Sequence, residues 1–327
     1  MGEAVAVVLA AGQGKRMRSA LPKVLHEVGG RPMLVRVLEA VRASGIVRAV
    51  VVVGHGGDRI QAAMPTWSAD LEPLTVACVH QAAQRGTGDA VATALPQLAE
   101  QEETVVVAPA DVPLLPAADL TRLLSAHRAQ GAACTLLTSE VPDPSGYGRI
   151  VRQDGAVAGI IEERDCSTEQ KRITEINSGI MCLQAAWLRR LLPLLSTDNA
   201  QGEILLTDVI GLLRQAGAVI AAEPAADWEK VAGVNDRQAL AASERALEAL
   251  VRSNLADRGV VLRGHRAGSV DDRARIGEGC VLGPLATIEG MCVIGAGTQI
   301  SQAVVQGSVI GARCRIGPMA ALRPARH

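Results

Sequence analysis

From Val270 onward an aliphatic residue recurs every six positions: Val270, Ile276, Leu282, Ile288, Ile294 and Ile300. After one slip the period resumes at Val304, Ile310, Ile316 and Leu322, and glycine follows directly at Gly277, Gly283, Gly295, Gly311 and Gly317. A period of six matches neither the 3.6 of a helix nor the 2 of an ordinary strand. It is the mark of a left-handed parallel β-helix, in which each hexad forms one face of a triangular coil. Coils of this kind bury their aliphatic residues only by stacking, so residues 260–327 read as a β-helix of about three coils. The hexads run to Leu322 and the sequence closes on ARH with no polar cap, which reads as an incomplete array.

The first 236 residues have another texture. Apolar runs alternate with helical stretches: VAVVLA (5–10), PMLVRVLEAVRASG (32–45), AVVVVG (49–54), GTGDAVATALPQLA (86–99) and TVVVAPAD (104–111). This alternation predicts a doubly wound, Rossmann-like α/β domain over 1–236, whose ligands bind at the carboxyl ends of the strands. Between the two domains, RQALAASERALEALVRSNLADR has Leu240, Ala246, Leu247 and Leu250 at helical spacing, with Gly259 as a stop, and predicts a connecting helix over 237–259.

At the end of the first strand the chain reads LAAGQGKRM, two glycines followed by Lys15 and Arg16. Glycines let backbone amides approach phosphate oxygens, and cations neutralise them. The stretch matches neither the dinucleotide fingerprint, because Met17 stands where the third glycine belongs, nor a P-loop, because Arg16 follows Lys15. A plain glycine turn with solvated charges is the competing reading. Lysine is scarce, with only Lys15, Lys23, Lys171 and Lys230 in the chain, and Lys23 falls close enough to return to this loop.

Composition narrows the class. A net charge of −1 over 327 residues gives no bulk attraction to nucleic acid or an anionic membrane. Seven scattered cysteines without a C-x-x-C pair suit reduced thiols, and no apolar run is long enough to span a bilayer, so the chain reads as cytoplasmic. With no Phe and one Tyr, the core must be Leu, Val, Ile and Ala, and a nucleobase must be held by backbone and amide hydrogen bonds.

With LPKVLH (21–26), VGHGGD (53–58), QRGTGDA (84–90), DVPL (111–114), DPSGYGRI (143–150), EINSGI (175–180), NAQGE (199–203) and GVN (233–235) added in order, the chain resembles the bifunctional N-acetylglucosamine-1-phosphate uridyltransferase / glucosamine-1-phosphate acetyltransferase family along essentially its whole length. The resemblance implies a uridyltransferase that joins UTP to N-acetylglucosamine 1-phosphate with Mg²⁺, giving UDP-N-acetylglucosamine and pyrophosphate. It implies Asp111 and Asn235 as metal ligands and Arg16 and Lys23 as the cations on phosphate. Leu9, Ala10, Ala11, Gly12 and Gly14, with Gln81, Gly86 and Thr87, would hold the nucleotide, Gln81 offering both donor and acceptor to the uracil edge. Thr87, Gly148, Glu162, Asn177 and Asn235 would line the sugar site. It further implies a homotrimer through the β-helix, with no nucleic-acid or membrane partner.

Three positions depart from the family pattern. Pro109 and Ala110 stand where an aromatic and a glycine usually precede the metal aspartate, and Arg164 stands where a lysine is common. Ala110 would crowd the phosphates if its backbone needed positive φ. Acetyl transfer is expected to be absent, because the family's acetyltransferase residues come mostly from later coils; Arg323 and His327 are expected to be idle. The rival readings are another sugar-1-phosphate nucleotidyltransferase (thymidylyl or adenylyl), a non-catalytic regulatory subunit of the same architecture, and a β-helix acyltransferase.

Overall fold

Val5 to Ala10 carry no polar residue, and the reason is that the strand they form is covered on both sides. In the computed structural model, which describes residues 3–264 and 268–324, strand β1 (Glu3–Ala10) points Val5 and Val7 into one apolar cluster and Ala6, Val8 and Ala10 into another. The remaining strands of this sheet are β2 (Arg48–Val53), β3 (Thr75–His80), β4 (Glu102–Pro109), β5 (Cys134–Glu140), β6 (Arg149–Gln153), β7 (Ala156–Ile161), β8 (Glu175–Gln184) and β9 (Ile220–Pro224). The order is β9-β5-β8-β4-β1-β2-β3, with the β6–β7 hairpin attached to β8. Helices Met33–Ala43 and Ala117–Ala129 cover one face; Thr87–Ala94, Ala185–Leu191 and Val209–Gln215 cover the other.

This is the doubly wound α/β sheet anticipated from the alternation, with one strand of its seven-strand path reversed. β1, β2, β3 and β4 are parallel, whereas β8 runs antiparallel to both β4 and β5. The reversal serves the site. The start of an antiparallel β8 lies at the same sheet edge as the ends of β1, β3 and β4, so Asn177 joins the residues that follow those three strands.

The chain divides into two compact units: residues 3–26 with 32–239, and residues 27–31 with 240–264 and 268–324. Glu27–Arg31, early in the sequence, thus clusters with the second unit. That short segment is tied within the second unit by Arg31, whose guanidinium meets both Asp272 oxygens at 2.5 and 2.6 Å, and by the Gly29 amide, which donates to Glu244 at 2.8 Å. The connecting helix spans Arg237–Asp257 and buries Leu247, Val251 and Leu255, a stripe spaced by four. Leu250, expected on that stripe, is exposed.

In the second unit, two- to four-residue strands form three parallel sheets, one for each face of a β-helix. Ile276 pairs with Ile294 and that with Ile310; Leu282 pairs with Ile300 and that with Ile316. The expected phase after the slip needs one correction. Val305, not Val304, stacks under Ile288 and is fully buried, because the coil shortens to five-residue steps from Ile300 to Val305 and from Val305 to Ile310. Arg323 is exposed, and His327 lies outside the described residues.

The glycines after the inward aliphatics have a steric cause. A Cβ on Gly277 would lie 2.6 Å from the Ala296 amide nitrogen, and one on Gly295 would lie 2.4 Å from that of Ala312, so the next coil's backbone occupies the space. Gly311 differs: a Cβ there meets only the Cys314 sulfur at 3.8 Å. Gly295→Ala should therefore destabilise the fold by about 1–3 kcal/mol through overpacking, while Gly311→Ala should stay within about 0.5 kcal/mol of the parent. Calorimetric unfolding of both variants checks this, and equal losses would remove the steric explanation.

Candidate active site

Because β1 and β4 are parallel neighbours, their ends deliver the glycine loop and Asp111 side by side. Leu9 pairs with Pro109, and the Ala110 amide donates to the Leu9 carbonyl at 3.0 Å. Ala110 is fully buried in an apolar cluster and its φ is not positive, so its methyl is core packing and the strain anticipated for it does not arise. Pro109 packs beside Gly179, where φ is +80° and a Cβ would lie 3.0 Å from the proline ring.

Three side chains converge beyond this edge. The Lys23 ammonium donates to Asp111 Oδ2 and, at 2.8 Å, to Asn235 Oδ1. The Lys23 and Asp111 side chains are 12% and 16% exposed, so the pair is shielded enough for its charge-assisted hydrogen bonds to matter. Asn235 is delivered by backbone pairing, the Val234 amide donating to the Asp111 carbonyl at 2.8 Å. Gly14, with φ +60°, lies against the root of Lys23, a Cβ there falling 2.6 Å from Lys23 Cβ. The glycine loop and Lys23 are thus in contact. Arg16 is exposed with no hydrogen bond or ion pair among the described residues, and Gly12 faces open space.

A second group forms where β3 ends. The Gln81 amide donates to Asp89 Oδ2 at 2.7 Å and to the Gly86 carbonyl at 3.1 Å. Both of its amide hydrogens are committed, which corrects the expectation of a donor and an acceptor for the uracil edge: only the side-chain oxygen remains. Burial alone would raise the Asp89 carboxyl, but hydrogen bonds from Gln81 and Arg85 hold it below the ordinary carboxylate range. Gly86 has φ +121°, and a Cβ there would lie 2.4 Å from the Ile204 carbonyl oxygen. The NAQGE segment, folded on Asn199, leads into this point: just after it the Ile204 amide donates to the Arg85 carbonyl at 2.6 Å, and the Leu206 amide donates to the Thr87 hydroxyl at 2.9 Å.

The third group comprises Gly148, Glu162 and Asn177. The Asn177 amide donates to the Gly148 carbonyl at 2.8 Å, and a Cβ on Gly148 would sit 3.4 Å from both Glu162 oxygens. Asn177 lies at a break in the β8 register, where bulges re-aim side chains. Burial holds the Glu162 carboxyl above its usual range, against a hydrogen bond from Thr207 and with the charges of Asp208 and Asp165. Leu206 and Thr207 bond Thr87 and Glu162, so adjacent residues link the second group to the third. Tyr147 also lies here: burial, with the Asp111 charge, raises its phenol against the lowering effect of the Gly233 backbone. Its signal in the sequence was its uniqueness, as the chain's one tyrosine.

Among the described residues no three His, Cys, Asp or Glu side chains gather as a metal-binding group. Asp111 and Asn235 do fit a hard divalent cation of the kind that takes one or two protein oxygens and fills its shell with phosphates and water. Both oxygens already converge on a single positive charge, that of Lys23.

The model of the MobA-like NTP transferase domain matches residues 6–263. The chain is similar to proteins named bifunctional protein GlmU. It is 40% identical to that of Heliobacterium modesticaldum over 99% of this chain and 73% of that protein, and 43% identical to that of Chromobacterium violaceum over 97% and 72%. The Sorangium cellulosum protein is 41% identical over 98% and 71%. A solved Bacillus anthracis structure, named "putative glucose-1-phosphate thymidylyltransferase" and in complex with a sucrose, shares the fold with a TM-score of 0.60 at 18% identity, covering 74% of this chain and 94% of that one.

The raised Glu162 carboxyl has a consequence for stability. The native state holds this proton more tightly than the unfolded chain, so its contribution is full below the ordinary carboxylate pKa and is lost as pH rises towards the elevated native value. Glu162→Gln keeps an acceptor for Thr207 and should raise the Tm at about pH 7, with the gain vanishing near pH 4 and below. Thermal melts across pH check this; a pH-independent loss would show that burial does not strain the carboxylate.

Proposed function

The chain belongs to the bifunctional GlmU family, and from that premise we propose that it joins UTP to N-acetylglucosamine 1-phosphate, releasing pyrophosphate and UDP-N-acetylglucosamine. The observation that carries this reading is the meeting of Lys23, Asp111 and Asn235 beside a glycine loop at the carboxyl edge of the sheet. A sugar-phosphate oxygen attacks the α-phosphorus in line as pyrophosphate leaves, so the protein needs no covalent nucleophile; it positions two anions and neutralises the charge that grows between them.

The roles divide by group. Lys23 neutralises phosphate, with the glycine-loop amides beside it. Arg16, on the exposed turn that follows, is free to close on the leaving oxygens. The Gln81 side-chain oxygen accepts from the uracil ring N–H, a choice a cytosine ring, which has no such hydrogen, cannot meet. Glu162, Asn177 and the Gly148 backbone hold sugar hydroxyls and the acetamido group, and Thr87 keeps its hydroxyl proton to donate. Asp111 and Asn235 would hold Mg²⁺, which when bound supplies positive charge to the triphosphate. The trimer and the 1–236, 237–259 and 260–327 division remain part of this proposal. So does the absence of acetyl transfer; residues 260–327 contain no lysine.

Pyrophosphate release measured with UTP, dTTP and ATP, each with N-acetylglucosamine 1-phosphate, tests the reading: UTP should be preferred clearly, and a preference for either competitor would replace the substrate assignment. In the same assay Lys23→Ala should cost about 10²–10³ in rate, the loss of a charge-assisted contact worth about 2–4 kcal/mol in the transition state. Lys15→Ala should cost little.

A further inference from the structure

Lys23 does more in this site than offer a cation to phosphate. Its ammonium bonds Asp111 Oδ2 and Asn235 Oδ1, the same two oxygens assigned above to the metal. A pair of oxygens that close together seats one cation well. A second would lie within a few ångströms of the first, and at that distance like charges in a shielded site repel strongly. The lysine and the divalent ion are therefore alternatives at one seat.

The geometry also limits how Lys23 can leave. Gly14 lies against its root, so the backbone and Cβ are held by the glycine loop. What can move is the flexible stem beyond Cβ, which carries a compact point charge with three donors. A swing of that stem takes the ammonium from the carboxylate to a nearby phosphate without shifting the loop. Asp111, only 16% exposed, would be left with an uncompensated charge unless another cation arrived.

We propose that Lys23 is a resident cation that holds the metal seat until a nucleoside triphosphate draws it away, so that divalent ion and nucleotide enter as coupled ligands. The triphosphate supplies the negative charge that attracts the ammonium, and the exchange leaves Asp111 and Asn235 for the ion. Coupling of this kind is reciprocal: whatever the nucleotide does for metal affinity, the metal does for nucleotide affinity. The proposal rests on the reading of Asp111 and Asn235 as the metal ligands.

The test is Mn²⁺ binding, followed by the electron paramagnetic resonance of the free aquo ion, on the full chain without nucleotide. Wild type should bind weakly. Lys23→Met should bind at least about tenfold more tightly, since the competing charge-assisted bonds are gone, and Lys23→Ala should behave alike. Lys15→Met, which removes a charge of the same loop, should stay within about twofold of wild type. Adding UTP should strengthen Mn²⁺ binding much more for wild type than for Lys23→Met. Equal or weaker Mn²⁺ affinity in both Lys23 variants would overturn the proposal, as would an equal gain in Lys15→Met, which would mean general charge rather than occupancy. Asp111→Asn placed on Lys23→Met separates the underlying reading: loss of the tightened binding keeps Asp111 as the ligand, and retention shows that the ion sits elsewhere.

Discussion

The parallel pairing of β1 with β4, and the hydrogen bond from the Ala110 amide to the Leu9 carbonyl that closes it, is the constraint on which the site depends. It fixes where the glycine loop leaves one strand and where Asp111 leaves the next. A one-residue slip would exchange the two faces of a strand buried on both sides. Such a slip would move Ala110 out of its apolar cluster and Asp111 away from Lys23. The register is held by close packing of Val, Leu, Ile and Ala, since no phenylalanine is present to dominate either cluster.

That packing explains how the site tolerates its departures. With small side chains on both sheet faces, a methyl at position 110 is accommodated inside the core, and Pro109 finds room against Gly179. Close approaches are paid for locally by glycine, at Gly86 under the Ile204 carbonyl and at Gly14 against Lys23. Polar groups at the site are arranged in advance: Asp89 and Gly86 fix the Gln81 amide, Gly179 fixes the Asn177 oxygen, and Thr207 bonds Glu162. A nucleotidyltransferase works mainly by position and charge, and this site holds both in place through short-range hydrogen bonds.

Much of this was legible in the sequence because the signals are periodic or local. The unbroken aliphatic run of β1, the glycine loop after it and the six-residue period each follow from one element's own packing. Long-range pairing was not legible. Nothing local to EINSGI says that β8 runs antiparallel between β4 and β5, and nothing local to Gln81 says that Asp89 and Gly86 take both of its amide hydrogens. A six-residue period places Val304 inward after the slip, whereas Val305 takes that place because two five-residue steps replace one irregularity. The convergence of Lys23 with Asp111 and Asn235 spans 88 and 212 residues, beyond the reach of any spacing argument.

Everything proposed for this chain turns on nucleotidyl transfer taking place at the cluster of Lys23, Asp111 and Asn235. Crystals soaked with UDP-N-acetylglucosamine and Mg²⁺ test it most directly. The ion should lie on Asp111 and Asn235, the Lys23 ammonium on a phosphate oxygen, the uracil ring against the Gln81 oxygen, and the sugar among Gly148, Glu162 and Asn177. Product bound elsewhere on the first unit, such as the surface cleft lined by Thr104, His127 and Gln184, with Lys23 still on Asp111, would contradict it.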